Sequence, residues 1–229
     1  MERRIPIYLV EGQTRFEPWA KEDGPSLINP KSLKIDAYRR SDFDDLAMVY
    51  MSVFNAQNKR KYANIPNAIL AWDEDPWTYE SAADQLSEEL SSDGRICFIA
   101  RARNLVGRKI TVGFILARPV GKNVLSEICG LEKIADDIFG LSGSSNNLLL
   151  WEDAGVANLK TRDGKYIRGV GKCLYKNMAR AADKGRFISI GRTAPGSYAE
   201  RVLPSVNFEN SGIRDGKDSA RYWLIRKPS

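Results

Sequence analysis

The sequence predicts an α/β chain of the α+β kind, a mixed and mainly antiparallel central sheet flanked by helices. Three observations point there. Two β-rich runs, Arg95 to Arg101 and Ile110 to Pro119, flank a polar connection of hairpin length, Asn104 to Arg108, that contains Gly107, as antiparallel partners do. A strand-like run passes through two closely spaced glycines, Gly169 and Gly171, straight into an amphipathic helix. Strand and helix periodicities alternate along the chain, and no internal repeat interrupts them.

Residues 1–30 read as an N-terminal extension, with an edge strand at Ile5 to Val10 followed by a connection holding Pro18, Gly24, Pro25 and Pro30. The alternation of Leu33, Ile35 and Ala37 predicts a half-buried strand over Leu33 to Arg39. Ser41 is then placed to cap a helix whose apolar face is Phe43, Leu46, Val49, Tyr50 and Val53. A turn-rich stretch, Asn64 to Pro76, precedes an acidic helix over Trp77 to Ser91. After the hairpin, Leu125, Ile128, Leu131, Ile134 and Ile138 predict one helix over Val124 to Phe139, running into the Gly/Ser-rich string Gly140 to Asn147. This is an insertion at about residues 121–147 within a domain spanning 31–229. Leu148 to Thr161 predicts a long strand with a bulge near Glu152, Asp153 and Gly155. Val170, Leu174, Met178 and Ala181 or Ala182 line one face of a helix ending near Lys184 and Gly185. A strand at Phe187 to Arg192, a short helix at Tyr198 to Ser205, and strands near Phe208 and at Ala220 to Lys227 complete the chain.

Composition sets the chemical limits. The 229 residues are 43% hydrophobic and 28% charged, which suits a chain that buries its own core without staples. Met1 to Val10 holds only a short apolar run broken by Pro6, too short for a membrane span, and the three scattered cysteines, Cys97, Cys129 and Cys173, show no C-x-x-C spacing. A cytoplasmic chain without a membrane segment or a metal site is therefore expected. Lys and Arg number 35 against 29 Asp and Glu, a net charge of +6, which favours an anionic ligand. The charges are interspersed, which disfavours a nucleic-acid partner. The chain has no histidine, so general base, general acid and nucleophile must come from Asp, Glu, Tyr, Lys, Cys or water. Trp72, Trp77 and Trp151 read first as core aromatic residues and second as the lining of a substrate pocket.

The segment Tyr166-Ile167-Arg168-Gly169-Val170-Gly171-Lys172-Cys173-Leu174 carries the sharpest signal. Glycines at alternating positions allow a tight strand-to-helix turn and leave N–H groups uncovered at the helix N-terminus, where the helix dipole favours phosphate. Arg168 and Lys172 add positive charge. A dinucleotide fingerprint would need a small residue at Leu174, and a P-loop would need Gly at Tyr166 and Ser or Thr at Cys173, so neither pattern fits. Cys173 in the first turn is a structural residue on the bland reading and a reactive thiol on the sharper one.

The segment resembles the pyrophosphate-binding motif of the GNAT superfamily of N-acetyltransferases, Gln/Arg-x-x-Gly-x-Gly/Ala, with Gly169 and Gly171 on the two glycine positions, the Lys172-Cys173-Leu174 continuation present, and Tyr166 departing at the first position. The predicted element order from Leu33 onward is similar to that of the family, apart from the insertion. The passage Gly196 to Glu209 resembles the family's closing helix-to-strand segment, with Asn207 where a glycine is usual; Asn also tolerates positive φ.

What the resemblance implies is an acyl-CoA-dependent N-acyltransferase that uses acetyl-CoA, or another acyl-CoA, and an amine that attacks the thioester directly. Tyr166, Ile167, Arg168, Gly169, Val170, Gly171, Lys172 and Cys173 would hold the cofactor's diphosphate, and the backbone at Leu159 and Thr161 its pantetheine arm. Glu152 and Asp153 are the candidate general bases, although the position the family uses most often falls near Gly155. The leaving thiolate is met in many members by a tyrosine at the position of Leu203, and Tyr198 in the same helix is the candidate here. The acceptor is an amine-bearing small molecule or an amino group of a protein or aminoacyl conjugate, and a homodimer is an assembly open to it. A non-catalytic acyl-CoA-binding regulatory module is the alternative that Gly155 and Leu203 suggest, with a nucleic-acid binder third.

Overall fold

The computed structural model describes residues 26–62, 77–91, 93–143, 147–157, 159–193, 195, 197–216 and 221–228. The strand expected at Ile5 to Val10, the turn-rich stretch with Trp72 and the start of the last expected strand lie outside these residues. The elements are β1 (Ser26–Ala37), a 3-10 turn (Arg40–Asp42), α1 (Phe43–Tyr62), α2 (Tyr79–Ser91), β2 (Ile96–Asn104), β3 (Lys109–Val120), α3 (Lys122–Cys129), α4 (Glu132–Leu141), β4 (Leu148–Val156), β5 (Leu159–Lys160), α5 (Val170–Lys184), β6 (Ile188–Thr193), α6 (Tyr198–Val202), a 3-10 turn (Leu203–Val206), β7 (Glu209–Arg214) and β8 (Tyr222–Arg226). The strands hydrogen-bond in the order β5-β1-β2-β3-β4-β6-β8-β7. Pairing is antiparallel at β1–β2, β6–β8 and β7–β8 and parallel at β5–β1 and β4–β6. The chain divides into two compact units, residues 1–91, 98–114 and 154–171 in one and 92–97, 115–153 and 172–229 in the other.

In the first unit α1 buries Leu46, Val49, Tyr50 and Val53 as its spacing predicts, together with Ala47, Met48 and Met51. Ser41 is not its cap. The chain enters through the 3-10 turn, and Asp42 accepts the Arg39 backbone N–H at 2.8 Å while also pairing with the buried Arg101 guanidinium, which bonds Asp36 at 2.6 Å. A carboxylate serving both turn and arginine is the stronger local solution. The α1 and α2 helices are tied by the Tyr79 hydroxyl, which donates to Asp44 at 2.7 Å, and by an aromatic group of Tyr50, Phe54, Trp77 and Phe114 with neighbouring centroids 4.5 to 6.5 Å apart. The β2–β3 turn closes with Asn104 N–H on Arg108 O at 2.8 Å and Gly107 N–H on Asn104 O at 3.0 Å. β1 starts at Ser26, so the last residues of the expected extension are strand.

In the second unit the insertion forms two helices rather than the one predicted. Gly130 ends α3 at φ 73, a left-handed C-cap that reverses the chain before α4. Both helices cover one sheet face: Leu125, Cys129, Ala135, Ile138 and Phe139 pack with Leu148 and Leu150 of β4, Ile190 of β6 and Trp223 of β8. On the opposite face, Trp151 of β4 meets Tyr175 of α5 and Phe208, with centroids 5.9 and 4.8 Å apart. Arg226, almost fully buried, binds Asp183 of α5 through Nη2 at 2.7 Å and donates Nε to Val206 O at 2.8 Å. The single long strand expected over Leu148 to Thr161 is instead two strands: β4 ends at Val156, and the short β5 pairs with Ser26 and Leu27 of β1. Among the described residues no helix is long and apolar enough to cross a membrane.

Candidate functional site

The site begins at the loop between β5 and α5. Thr161 N–H donates to Lys165 O at 2.9 Å, Gly164 N–H to Thr161 O at 3.0 Å, and Ile167 N–H to Leu159 O at 2.9 Å, so a tight turn uses the Thr161 and Ile167 amides. Lys160 and Tyr166 form a bridge, with the ammonium 4.4 Å from the ring centroid. Gly169 follows at φ 88, and a Cβ built there would meet nothing within 4 Å. Helix α5 starts at the next residue. The amides of Val170, Gly171 and Lys172 therefore lie in a first turn that has no intrahelical acceptors for them. A left-handed glycine ahead of uncapped first-turn amides is the kind of helix N-terminus at which an anion can be met.

The second part is the end of the β4–β6 ladder. Its partners run from Leu148↔Ile188 to Trp151↔Gly191, while β4 continues to Val156 and β6 to Thr193. Glu152 and Asp153 are the first β4 residues past that ladder. Strand alternation sends them to opposite faces. Asp153 shares the side of Trp151 and α5, and its charge, with that of Tyr198, helps to raise the Tyr175 phenol well above the ordinary range, burial being the main cause. Glu152 shares the side of Leu150. One carboxylate oxygen accepts from Arg95 Nη1 at 2.7 Å, and the other lies 2.7 Å from Arg118 Nε.

Ser197 caps α6 by accepting the Glu200 N–H at 3.1 Å and contacts Thr193 Oγ1 at 2.7 Å, which sets Tyr198 at the start of the helix. Burial raises the Tyr198 phenol, the Lys172 N–H and Arg201 pull it down, and Cys173 pushes it up. Sequence-predicted Asp153, Lys172, Cys173 and Tyr198 are thus brought into one neighbourhood through Tyr175. Tyr175 itself was not predicted. It sits one residue beyond Leu174 on the helix face already marked apolar, and only its contact with Trp151 distinguishes it from core.

Two departures acquire physical reasons. A Cβ at Gly155 would lie 2.5 Å from Val53 Cγ1 and 3.0 Å from Phe114 Cε1, so that position admits no acidic side chain. Leu203 is 3% exposed and buried with Val206 and Phe208, a packing position rather than a proton donor. Asn207 adopts φ 66, the left-handed conformation for which glycine is usual. No group of three or more His, Cys, Asp or Glu side chains among the described residues is arranged to hold a metal ion.

No protein-family model matches the sequence, and comparison with curated proteins gives no match. Solved structures do match. A domain from Methanocaldococcus jannaschii aligns at 10% identity and TM-score 0.50 over 85% of this chain and 97% of its own, and an acetyltransferase from Thermus thermophilus at 14% and 0.50 over 86% and 97%. A GNAT-family acetyltransferase from Streptococcus pneumoniae aligns at 12% and 0.46 over 86% and 99%. The mixed sheet and the likeness to the Thermus protein give this chain the fold of that acetyltransferase.

Proposed function

We propose that the protein is an acyl-CoA-dependent N-acyltransferase that transfers acetyl from acetyl-CoA to an amine. The observation that carries the reading is the left-handed Gly169 opening α5, the same helix that packs Tyr175 on Trp151 where the β4–β6 ladder ends. The amides of Gly169 to Gly171, with Arg168 and Lys172, would hold the diphosphate. Acyl-CoA, when bound, supplies a thioester carbonyl open to an amine.

An alkylamine with a pKa of about 10.4 is protonated near neutral pH and must lose a proton before it can attack. Asp153 is the base of choice, because it faces the side of Trp151, Tyr175 and α5, where its charge acts on the Tyr175 phenol. The Tyr198 phenol stays protonated at neutral pH. Burial raises it, and its O–H is available to give a proton to a departing thiolate. Calorimetry with CoA and a thioester-cleavage assay with acetyl-CoA and a set of amines test the reading.

A second reading, a CoA-binding regulatory module, is favoured by the crowded Gly155 and the buried Leu203. CoA binding without turnover on any amine would select it.

A further inference from the structure

On the face covered by α3 and α4, opposite α5, a row of charges follows the end of the β4–β6 ladder. Leu150 and Ile190 pack under those helices, so two residues on, Glu152 and Arg192 project to the same side. Arg192 is paired with Trp223 of β8, which belongs to the same cluster. Arg118 of β3 approaches Glu152 through Nε at 2.7 Å, and Arg95 binds its other oxygen. Arg192 meets Asp215 by one contact of 3.3 Å from Nη1. Three guanidiniums thus accompany two carboxylates.

Exposure divides them. The side chains of Arg95 and Asp215 are 4% and 0% exposed, whereas those of Arg118 and Arg192 are 28% and 30% exposed. A guanidinium carries five N–H donors. Arg118 Nε lies at ion-pair distance from Glu152 without a hydrogen bond, and Arg192 donates Nη1 to Asp215, so each has further donors outside these ion pairs.

We infer that the acceptor carries an anionic group several bonds from its amine, a carboxylate in the simplest case, and that Arg118 and Arg192 bind it where β4 and β6 part. The inference rests on the transferase reading. Planar guanidiniums suit a carboxylate because their paired N–H groups match its two oxygens. Glu152 holds Arg118 in place, and Asp215 does the same for Arg192.

The test compares matched amines with the purified 229-residue chain and acetyl-CoA: amines that carry a carboxylate several bonds from the amino group against the same amines without it, with CoA binding followed separately by calorimetry. A preference of about tenfold or more in kcat/KM for the carboxylate-bearing member supports the inference, since a charge-assisted hydrogen bond is of that size. Arg192→Gln and Arg118→Gln should then remove the preference by raising KM, with CoA affinity unchanged. Equal rates for both members overturn the inference and leave the transferase reading standing. CoA binding with no turnover on any amine overturns both. The comparison in the unaltered protein decides the matter even if a variant fails to fold.

Discussion

Tyr175 of α5 and Trp151 of β4 meet with ring centroids 5.9 Å apart, and Trp151 is the last β4 residue paired with β6. This contact seats the helix of the cradle against the end of the ladder. The Tyr175 phenol is buried, and burial, the Tyr198 phenol and the Asp153 charge all favour its neutral form. Its folded-state pKa exceeds the unfolded value of about 10, so its contribution to stability is complete below that value and is lost as pH rises through the folded pKa. Urea unfolding between pH 9 and about 11 should show stability falling at the alkaline end, and Tyr175→Phe should flatten that fall. An identical slope in the variant would show that other groups cause it.

Gly169 provides a test of the cradle. At φ 88 an L side chain is strained, although space is open around a Cβ. Gly169→Val should cost about 1–2 kcal/mol in stability and abolish CoA binding through the altered turn. Gly171→Val should also abolish binding with the protein folded, because its side chain would stand beside the first-turn amides. Calorimetric affinity equal to that of the parent chain would refute the cradle.

Much of this site was legible in the sequence because its signals are local. The turn into α5 needs a left-handed residue, which a glycine pair announces, and Asn207 at φ 66 follows the same logic. The α5 face of Val170, Leu174, Met178 and Ala182 is buried as its spacing predicts. What escaped depends on distant partners. Asp42 replaces Ser41 at the entry to α1 because it also serves Arg101, and the expected long strand breaks because residues 159–160 pair with β1, more than a hundred residues away in sequence. Nor does periodicity separate Glu152 from Asp153, whose roles diverge only once Arg95 and Arg118 are in place.

Gly155 is fixed by crowding. Val53 Cγ1 and Phe114 Cε1 would lie 2.5 and 3.0 Å from an added Cβ, so Gly155→Ala should destabilise by about 1–3 kcal/mol. Gly155→Glu should destabilise further without increasing turnover. A stable, more active glutamate variant would contradict the packing argument and the choice of Asp153 together.

The two carboxylates of β4 are separable by experiment. Glu152→Gln takes the countercharge from Arg95, whose side chain is 4% exposed. Stability should fall by about 3 kcal/mol, as when one partner of a buried pair is removed, while the pH profile of the remaining turnover keeps its shape. Asp153→Asn should leave stability closer to the parent and lower kcat by about 100-fold or more, since it removes the proposed proton acceptor. The reverse pattern would make Glu152 the base.

Tyr198→Phe isolates the proton donor. The phenol is raised by burial against the pull of Lys172 N–H and Arg201, so it remains protonated past the ordinary tyrosine value of about 10. Turnover in the parent should hold through that value and decline above it, as the phenol ionises. The variant should lose about 10- to 100-fold in kcat, because water can still protonate a thiolate, and should lack that alkaline decline. CoA affinity should stay level, because the phenol is not part of the proposed diphosphate site. A drop in CoA affinity with kcat unchanged would assign Tyr198 to cofactor binding and leave protonation of the thiolate to solvent.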